Sequence, residues 1–208
     1  MNEILNSSLV KFEPRARLLK LLGAELIRDD VMAIVELVKN AHDADASTIN
    51  LTFNGTRSDD GEILVEDDGE GMGLEVFRTG WMQPAGSRKR LKEFHYTGSG
   101  RRVLGEKGVG RFAVDRLGGQ VQLISRGRDE TSELVADFDW DEFDDGDRPL
   151  SDVQSTLTER SPERFINGTG TLLRICRLRS RWTERNFKKL SSRLKRLISP
   201  FGNGRDFS

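Results

Sequence analysis

Three short segments of this chain carry residue types whose spacing could do chemistry. Glu36, Asn40 and Asp43 stand four and three apart, with Ala44 next, as they would along one face of a helix. Asp67-Asp68-Gly69-Glu70-Gly71-Met72 follows an apolar run. Gly105-Glu106-Lys107-Gly108-Val109-Gly110-Arg111-Phe112 comes after a basic stretch. A carboxylate such as Glu36 can orient or deprotonate a water, and a neutral amide oxygen such as that of Asn40 suits Mg²⁺, which keeps several waters and takes few protein ligands. Asp43 could hold a metal-bound water or a water on the sugar side of a nucleotide. Asp67, at the end of an apolar strand, needs a hydrogen-bond donor, and the exocyclic amine of adenine is one. Gly69 and Gly71 allow a tight turn and close approach to a flat base, and Met72 adds a soft apolar contact. Backbone N–H groups of the Gly105–Gly110 loop, at the start of a helix, would face an anion, with Lys107 and Arg111 in support. Each part alone is common: the trio equals a solvated polar helix face, and Asp-x-Gly-x-Gly equals a plain turn. Their order and gaps together describe a site for a nucleotide and its metal. No Gly-x-x-x-x-Gly-Lys-Ser/Thr occurs, and no Gly-x-Gly-x-x-Gly follows a strand, so neither of those phosphate loops is present.

The elements that would hold these residues can be read from periodicity. Residues 15–27 are expected to be helical, and Asp29 or Asp30 caps a second helix running to about Ala44. On it Val31, Ile34, Leu37, Val38 and Ala41 share one face, and Glu36, Asn40 and Asp43 lie opposite. Residues 49–53 and 62–66 read as a hairpin with a long turn. Residues 69–110 hold ten glycines and little periodicity, which suits a functional connection. A helix is expected from Phe112 to Leu117, then strands at 120–126, 133–140 and 170–176, with the acidic segment between the last two as a surface excursion. Thr183 caps a final helix whose Phe187, Leu190, Leu194, Leu197 and Ile198 form one stripe, ended by Pro200. Helices first and mostly antiparallel strands afterwards predict an α+β fold, a two-layer sandwich whose mixed, mostly antiparallel sheet is covered on one face by helices.

Composition excludes several classes. The 208 residues are 36% hydrophobic, enough for a core, and contain no apolar run of membrane-spanning length. The single Cys176 excludes an internal disulfide framework and an all-cysteine metal cage, and no secretory leader is evident at Met1–Ser8, so a reducing, cytoplasmic setting is expected. The net charge of −1 hides segregation: 88–128 holds eleven Lys/Arg against three acids, 129–163 holds thirteen acids, and 174–196 holds ten Lys/Arg against one Glu. Such blocks usually form solvated faces, although the first lies beside the glycine loops, where a polyphosphate partner is an alternative.

Taken in order, the three segments resemble the N, G1 and G2 boxes of the GHKL ATPase superfamily, which holds gyrase B subunits, ninety-kilodalton heat-shock chaperones, histidine kinases, MutL and MORC proteins. Gly170-Thr171-Leu-Leu-Arg-Ile is similar to the later Gly-Thr strand of that group, with Gly168-Thr169 as a competing alignment. The resemblance covers about residues 30–176 and implies the Bergerat sandwich, ATP with Mg²⁺, and a lid over about 73–104. It implies Glu36 as general base, Asn40 as Mg²⁺ ligand and Asp67 as adenine contact. Asp43, Ala44, Gly71, Met72 and Thr171 would line the nucleotide. Gly105, Lys107, Gly108, Val109, Gly110, Arg111 and Phe112 would surround the phosphates, and Ser87 and Lys89 of Gly86-Ser-Arg-Lys would reach them from the lid. The G2 loop is closer to the chaperone form than to the histidine-kinase form, but Arg111 stands where chaperones have an aromatic residue, and the C-terminal stretch is similar to bacterial MORC-like and chaperone-like ATPases. His42 reads as a spacer on the helix and His95 as a lid surface residue. What the resemblance implies is an ATP-binding domain over 1–180 that hydrolyses ATP and dimerises with nucleotide, followed over 181–208 by a basic helix and tail that lead toward a further domain. Histidine-kinase-type phosphotransfer and nucleotide binding without turnover are the alternatives. The basic helix reads as a solvated face, with contact to nucleic acid as the alternative, and it has few aromatics for reading bases.

Overall fold

The computed structural model describes residues 11–58, 60–83, 96–105 and 112–197. Two helices come first, α1 (Arg17–Leu26) and α2 (Asp30–Asp43). The N-cap of α2 is Asp29, whose carboxylate accepts from the Met32 N–H at 2.9 Å, satisfying one of the orphan donors of the first turn. The hairpin β1 (Ile49–Asn54) and β2 (Glu62–Asp67) follows, then a short helical turn α3 (Leu74–Val76) that continues into a π-turn over Phe77–Trp81. After α4 (Phe112–Leu117) come β3 (Gly118–Arg126), β4 (Glu133–Asp139), β5 (Thr156–Arg160), β6 (Gly170–Leu178) and α5 (Glu184–Leu197).

The six strands form one sheet in the order β1-β2-β6-β3-β4-β5, and every neighbouring pair is antiparallel. The last strand in sequence therefore sits in the middle. Alternation along each strand sends Ile63, Val65, Val121, Leu123, Ala136, Phe138, Leu173 and Ile175 toward the helices, where they join Val31, Ile34, Leu37 and Val38 of α2 in one core. The other face carries a smaller cluster, Ile124, Val135 and Leu172 covered by Phe165, with Leu64 packed against it. The fold is thus an α+β two-layer sandwich with its helices on one face. No helix among the described residues is long and apolar enough to cross a membrane.

The segment between β4 and β6, expected to be a surface excursion, contains the edge strand β5, which pairs with β4 from Glu133↔Arg160 to Asp137↔Thr156. With Leu157 as the one partly buried apolar side chain of its five residues, β5 has almost no apolar signature, and it exists because β4 offers it an open edge. Both described ends of the 73–104 span are packed. Phe77 is buried, its ring 6.4 Å from Phe138, and Trp81 lies 6.0 Å from the same ring. At the other end Asp45 takes hydrogen bonds from the Thr97 hydroxyl, the Ser99 hydroxyl and the Ser99 N–H, the last at 2.9 Å. Arg101 donates to the Ala46 carbonyl at 2.6 Å. Ser87, Lys89, His95, Lys107, Gly108, Val109, Gly110 and Arg111 lie outside the described residues.

Candidate functional site

Strand register assembles the floor of the site. Asp67 on β2 pairs with Thr171 on β6, and Thr171 pairs with Ser125 on β3, so three side chains 46 or more positions apart stand in one row on the helix-facing side. The Ser125 hydroxyl, fully buried, accepts from the Met72 N–H at 2.9 Å, donates to the Gly170 carbonyl at 2.8 Å and lies 2.9 Å from the Thr171 hydroxyl. With one donor and two lone pairs, it is saturated when Thr171 donates to it. Thr171 is then held in one rotamer with its acceptor lone pairs left over.

Asp67 is 8% exposed. Burial pushes its carboxyl up to about 6, against the N–H groups of Gly69 and Thr171, which favour the ionised form, and with the charges of Asp68 and Glu66 adding to the rise. The turn that follows is pinned from both sides. Asp68 accepts from the N–H groups of Ser47 and Thr48, both at 2.7 Å, and the Glu70 N–H donates to the Ala44 carbonyl at 2.7 Å. Gly71 has φ +62°, and a Cβ there would stand 1.9 Å from the Arg126 carbonyl oxygen. The backbone can make this turn only without a side chain.

Across from this row runs the C-terminal half of α2. Asn40, Asp43 and Ala44, together with Leu37 and Ala41, line the same cavity as Asp67, Gly71, Met72 and Thr171. Its volume is about 320 Å³, in the range of small-molecule sites. Leu37, Val65, Val76, Trp81 and Leu173 give it apolar walls, and Glu70 and Gly80 complete the rim. Both carboxylate oxygens of Asp43 accept backbone N–H groups, from Leu104 at 2.7 Å and Gly105 at 2.9 Å, so this residue holds the entry of the glycine loop against the helix. His42, expected as a spacer, is buried, with Nδ1 3.5 Å from the Asp43 carboxylate.

Two expected residues stand elsewhere. Glu36, one turn before Asn40, lines a separate hollow of about 230 Å³ with Leu26, Arg28, Met32 and Arg193, and its carboxylate is paired with Lys39 at 2.8 Å. Phe112 turns its ring into the core: it is 3% exposed, lies 6.4 Å from Trp140, and would touch a Cβ at Gly23 of α1 at 3.2 Å. Its side chain is therefore a packing residue and not part of the cavity wall, because α4 needs an apolar residue where α1 crosses it. Thr169, the competing alignment, donates to the Gly69 carbonyl at 2.6 Å and supports the turn, whereas Thr171 lines the cavity. Sequence reasoning missed Ser125 and Trp81. A serine inside an apolar strand, Gln-Leu-Ile-Ser-Arg, was the available signal for the first. The second lies in a π-turn, a form that often marks functional sites, but nothing local announces it.

Asn40 fits the needs of Mg²⁺ on chemical grounds: it lines the cavity and carries a neutral amide oxygen, and this ion ordinarily combines one or two protein oxygens with waters and phosphate oxygens. Among the described residues no group of three or more His, Cys, Asp or Glu side chains forms a protein-only metal cage.

Over a stretch of 91 residues the chain is 39% identical to a protein described as the putative type II restriction enzyme HgiDII of Herpetosiphon aurantiacus; the stretch is 44% of this chain and 14% of that protein. A family profile, that of the histidine kinase-, DNA gyrase B- and HSP90-like ATPases, matches residues 30–169. That match runs from the first residue of α2 to the residue before β6 and takes in every cavity-lining residue except Thr171 and Leu173, so the chain belongs to this family and its sandwich is a GHKL-type ATP-binding domain.

Proposed function

We propose that this domain binds ATP with Mg²⁺ in the cavity between α2 and the Asp67–Thr171–Ser125 row and hydrolyses it, and that nucleotide drives closure of the 73–104 segment and association of two copies. The observation that carries this reading is the single cavity shared by Asn40, Asp67, Gly71, Met72 and Thr171, which come from three separate parts of the chain. Asp67 is the acceptor for the adenine amine, with Thr171 beside it. Met72 and Trp81 are the apolar contacts of the base. Asn40 is the protein ligand of Mg²⁺, which would neutralise charge on the phosphates. Asp43 and Ala44 fix the turns that flank the nucleotide. Gly105 begins the phosphate loop, and Lys107, Gly108, Val109, Gly110, Arg111, Ser87 and Lys89 complete it. Glu36 is the general base, released from Lys39 as the site closes. The single Cys176 agrees with a reducing, cytoplasmic setting. The partial relative, a restriction enzyme by its description, favours a process that involves DNA.

Calorimetric titration with ADP and a non-hydrolysable ATP analogue, with and without Mg²⁺, tests the binding half of this reading: no heat in any combination would remove it. Phosphate release tests the other half. Glu36→Ala should keep nucleotide affinity and lower turnover by ~10²-fold or more. An unchanged rate would leave a binding module, and transfer of labelled phosphate to protein would favour kinase-type chemistry instead.

A further inference from the structure

We propose that the outward face of α5 is a docking surface for the phosphate backbone of duplex DNA. The helix Glu184–Leu197 carries six Lys/Arg and one Glu. Its inner stripe is locked. Trp182, just before it, and Leu190 are 1% and 4% exposed, the Phe187 ring meets Phe53 of β1 edge-on at 5.0 Å, and Leu194 and Leu197 join the same core. A helix anchored in this way cannot roll, so its outer face is presented in one orientation. At 100° per residue Arg185, Lys188, Lys189, Ser192, Lys195 and Arg196 fall within about 120° of arc, and all six are exposed. Lys188 and Lys189 have local partners, Glu184 at 2.6 Å and Asp29 at 2.7 Å. Among the described residues no ion pair engages Arg185, Lys195 or Arg196. From Arg185 to Arg196 the helix rises about 16 Å, enough to face several phosphates of a duplex.

α5 lies beside β1 at one edge of the sheet, whereas the turn Trp140–Asp144, which follows β4, packs against β3 and α1. Three acids of this turn have cationic partners of their own: Asp141 with Arg177 and Arg179, Glu142 with Arg148, and Asp144 with Lys20. These acids are thus engaged away from α5, and the cations of its outer face stand apart from them. A cluster of cations on one fixed face attracts a polyanion during approach.

Duplex DNA fits better than other polyanions. The outer face has no aromatic side chain, so it offers no stacking platform for single strands. Its only hydroxyls are those of Ser191 and Ser192, too few to track the 2′-hydroxyls of an RNA duplex. Half of the helix is committed to the core, so α5 lies across phosphates and does not enter a groove; binding is independent of base sequence.

Fluorescence anisotropy with a labelled duplex of about two turns, titrated with the 208-residue chain at increasing salt, tests this. The expected dissociation constant at about 150 mM salt lies between about 10⁻⁶ and 10⁻⁴ M, with a log–log salt slope of about −3 and no dependence on duplex sequence. The triple substitution Arg185→Glu, Lys195→Glu, Arg196→Glu should weaken binding at least about tenfold and flatten the slope, leaving the thermal midpoint and far-ultraviolet dichroism unchanged. The milder triple change to Gln, in which no like charges are added, should move binding in the same direction. Absence of binding at low salt, parent-like affinity in both variants, or tighter binding of single strands or of an RNA duplex would each overturn the proposal.

Discussion

Asp67 concentrates the conflict between stability and use at one residue. Its carboxyl is raised by burial from an ordinary 3.8 to about 6, so the folded chain holds this proton more tightly than the unfolded chain does. The sign follows: the contribution of Asp67 to stability is most favourable below 3.8 and is lost as pH rises through about 6, a loss on the order of 3 kcal/mol. Nucleotide binding should run the other way, since the ionised carboxylate is the stronger acceptor for the adenine amine. Asp67→Asn should therefore remove this component of the pH dependence of unfolding, leave the ligand-free protein no less stable at pH 7, and weaken ADP binding by roughly 1–3 kcal/mol. Urea midpoints from pH 4 to 7, compared between parent and variant, together with ADP calorimetry, decide it; an Asn variant with parental affinity would refute the adenine contact. Trp81 offers a direct reporter on the same wall of the cavity. ADP should alter tryptophan emission in the parent and leave it nearly constant in Trp81→Phe, because Trp140 and Trp182 are buried in the core away from the cavity.

At the level of elements, the turn after β2 is the least replaceable piece. Gly71 and Gly100 both have positive φ, +62° and +82°, but their surroundings differ. A Cβ at Gly100 meets nothing within 4 Å, whereas one at Gly71 would collide with the backbone of Arg126 and lie 2.9 Å from the Gly170 carbonyl oxygen. Gly100→Ala should cost about 1–2 kcal/mol, from the left-handed conformation alone. Gly71→Ala should cost more than that, since the turn must also move away from β3 and β6, and should lower ADP affinity with it. Equal urea midpoints for the two variants would show that the turn adapts freely.

For the whole molecule, the decisive contact is that between α5 and the rest. The Trp182 ring lies 4.8 Å from that of Phe53, tilted by 51°, and the Trp182 backbone N–H donates to the Thr56 carbonyl at 3.0 Å. With Leu190 it belongs to the core that also contains α2, the helix that carries Asn40 and Asp43. Trp182→Ala should lower stability by about 3–5 kcal/mol in a single transition seen equally by far-ultraviolet dichroism and by ADP protection. A separate early transition with the remainder intact would mean that α5 is an appendage.

Local patterns in the sequence were enough for the helical stripe of α2 with its Asp29 cap, the β1–β2 hairpin, the Asp–Gly turn and the inner stripe of α5, because periodicity and turn chemistry act over a few residues. Chain contacts made over a hundred positions left no such trace. Only the folded sheet, by inserting β6 between β2 and β3, set Thr171 beside Asp67 and Ser125 behind both. Only packing turned Phe112 inward, gave the Asp43 carboxylate to the backbone of Leu104 and Gly105, and paired β5 with an edge its own residues barely advertise. Strand order and register are chosen by how all the apolar faces can be buried at once, a condition that belongs to the assembled core and to none of its segments separately.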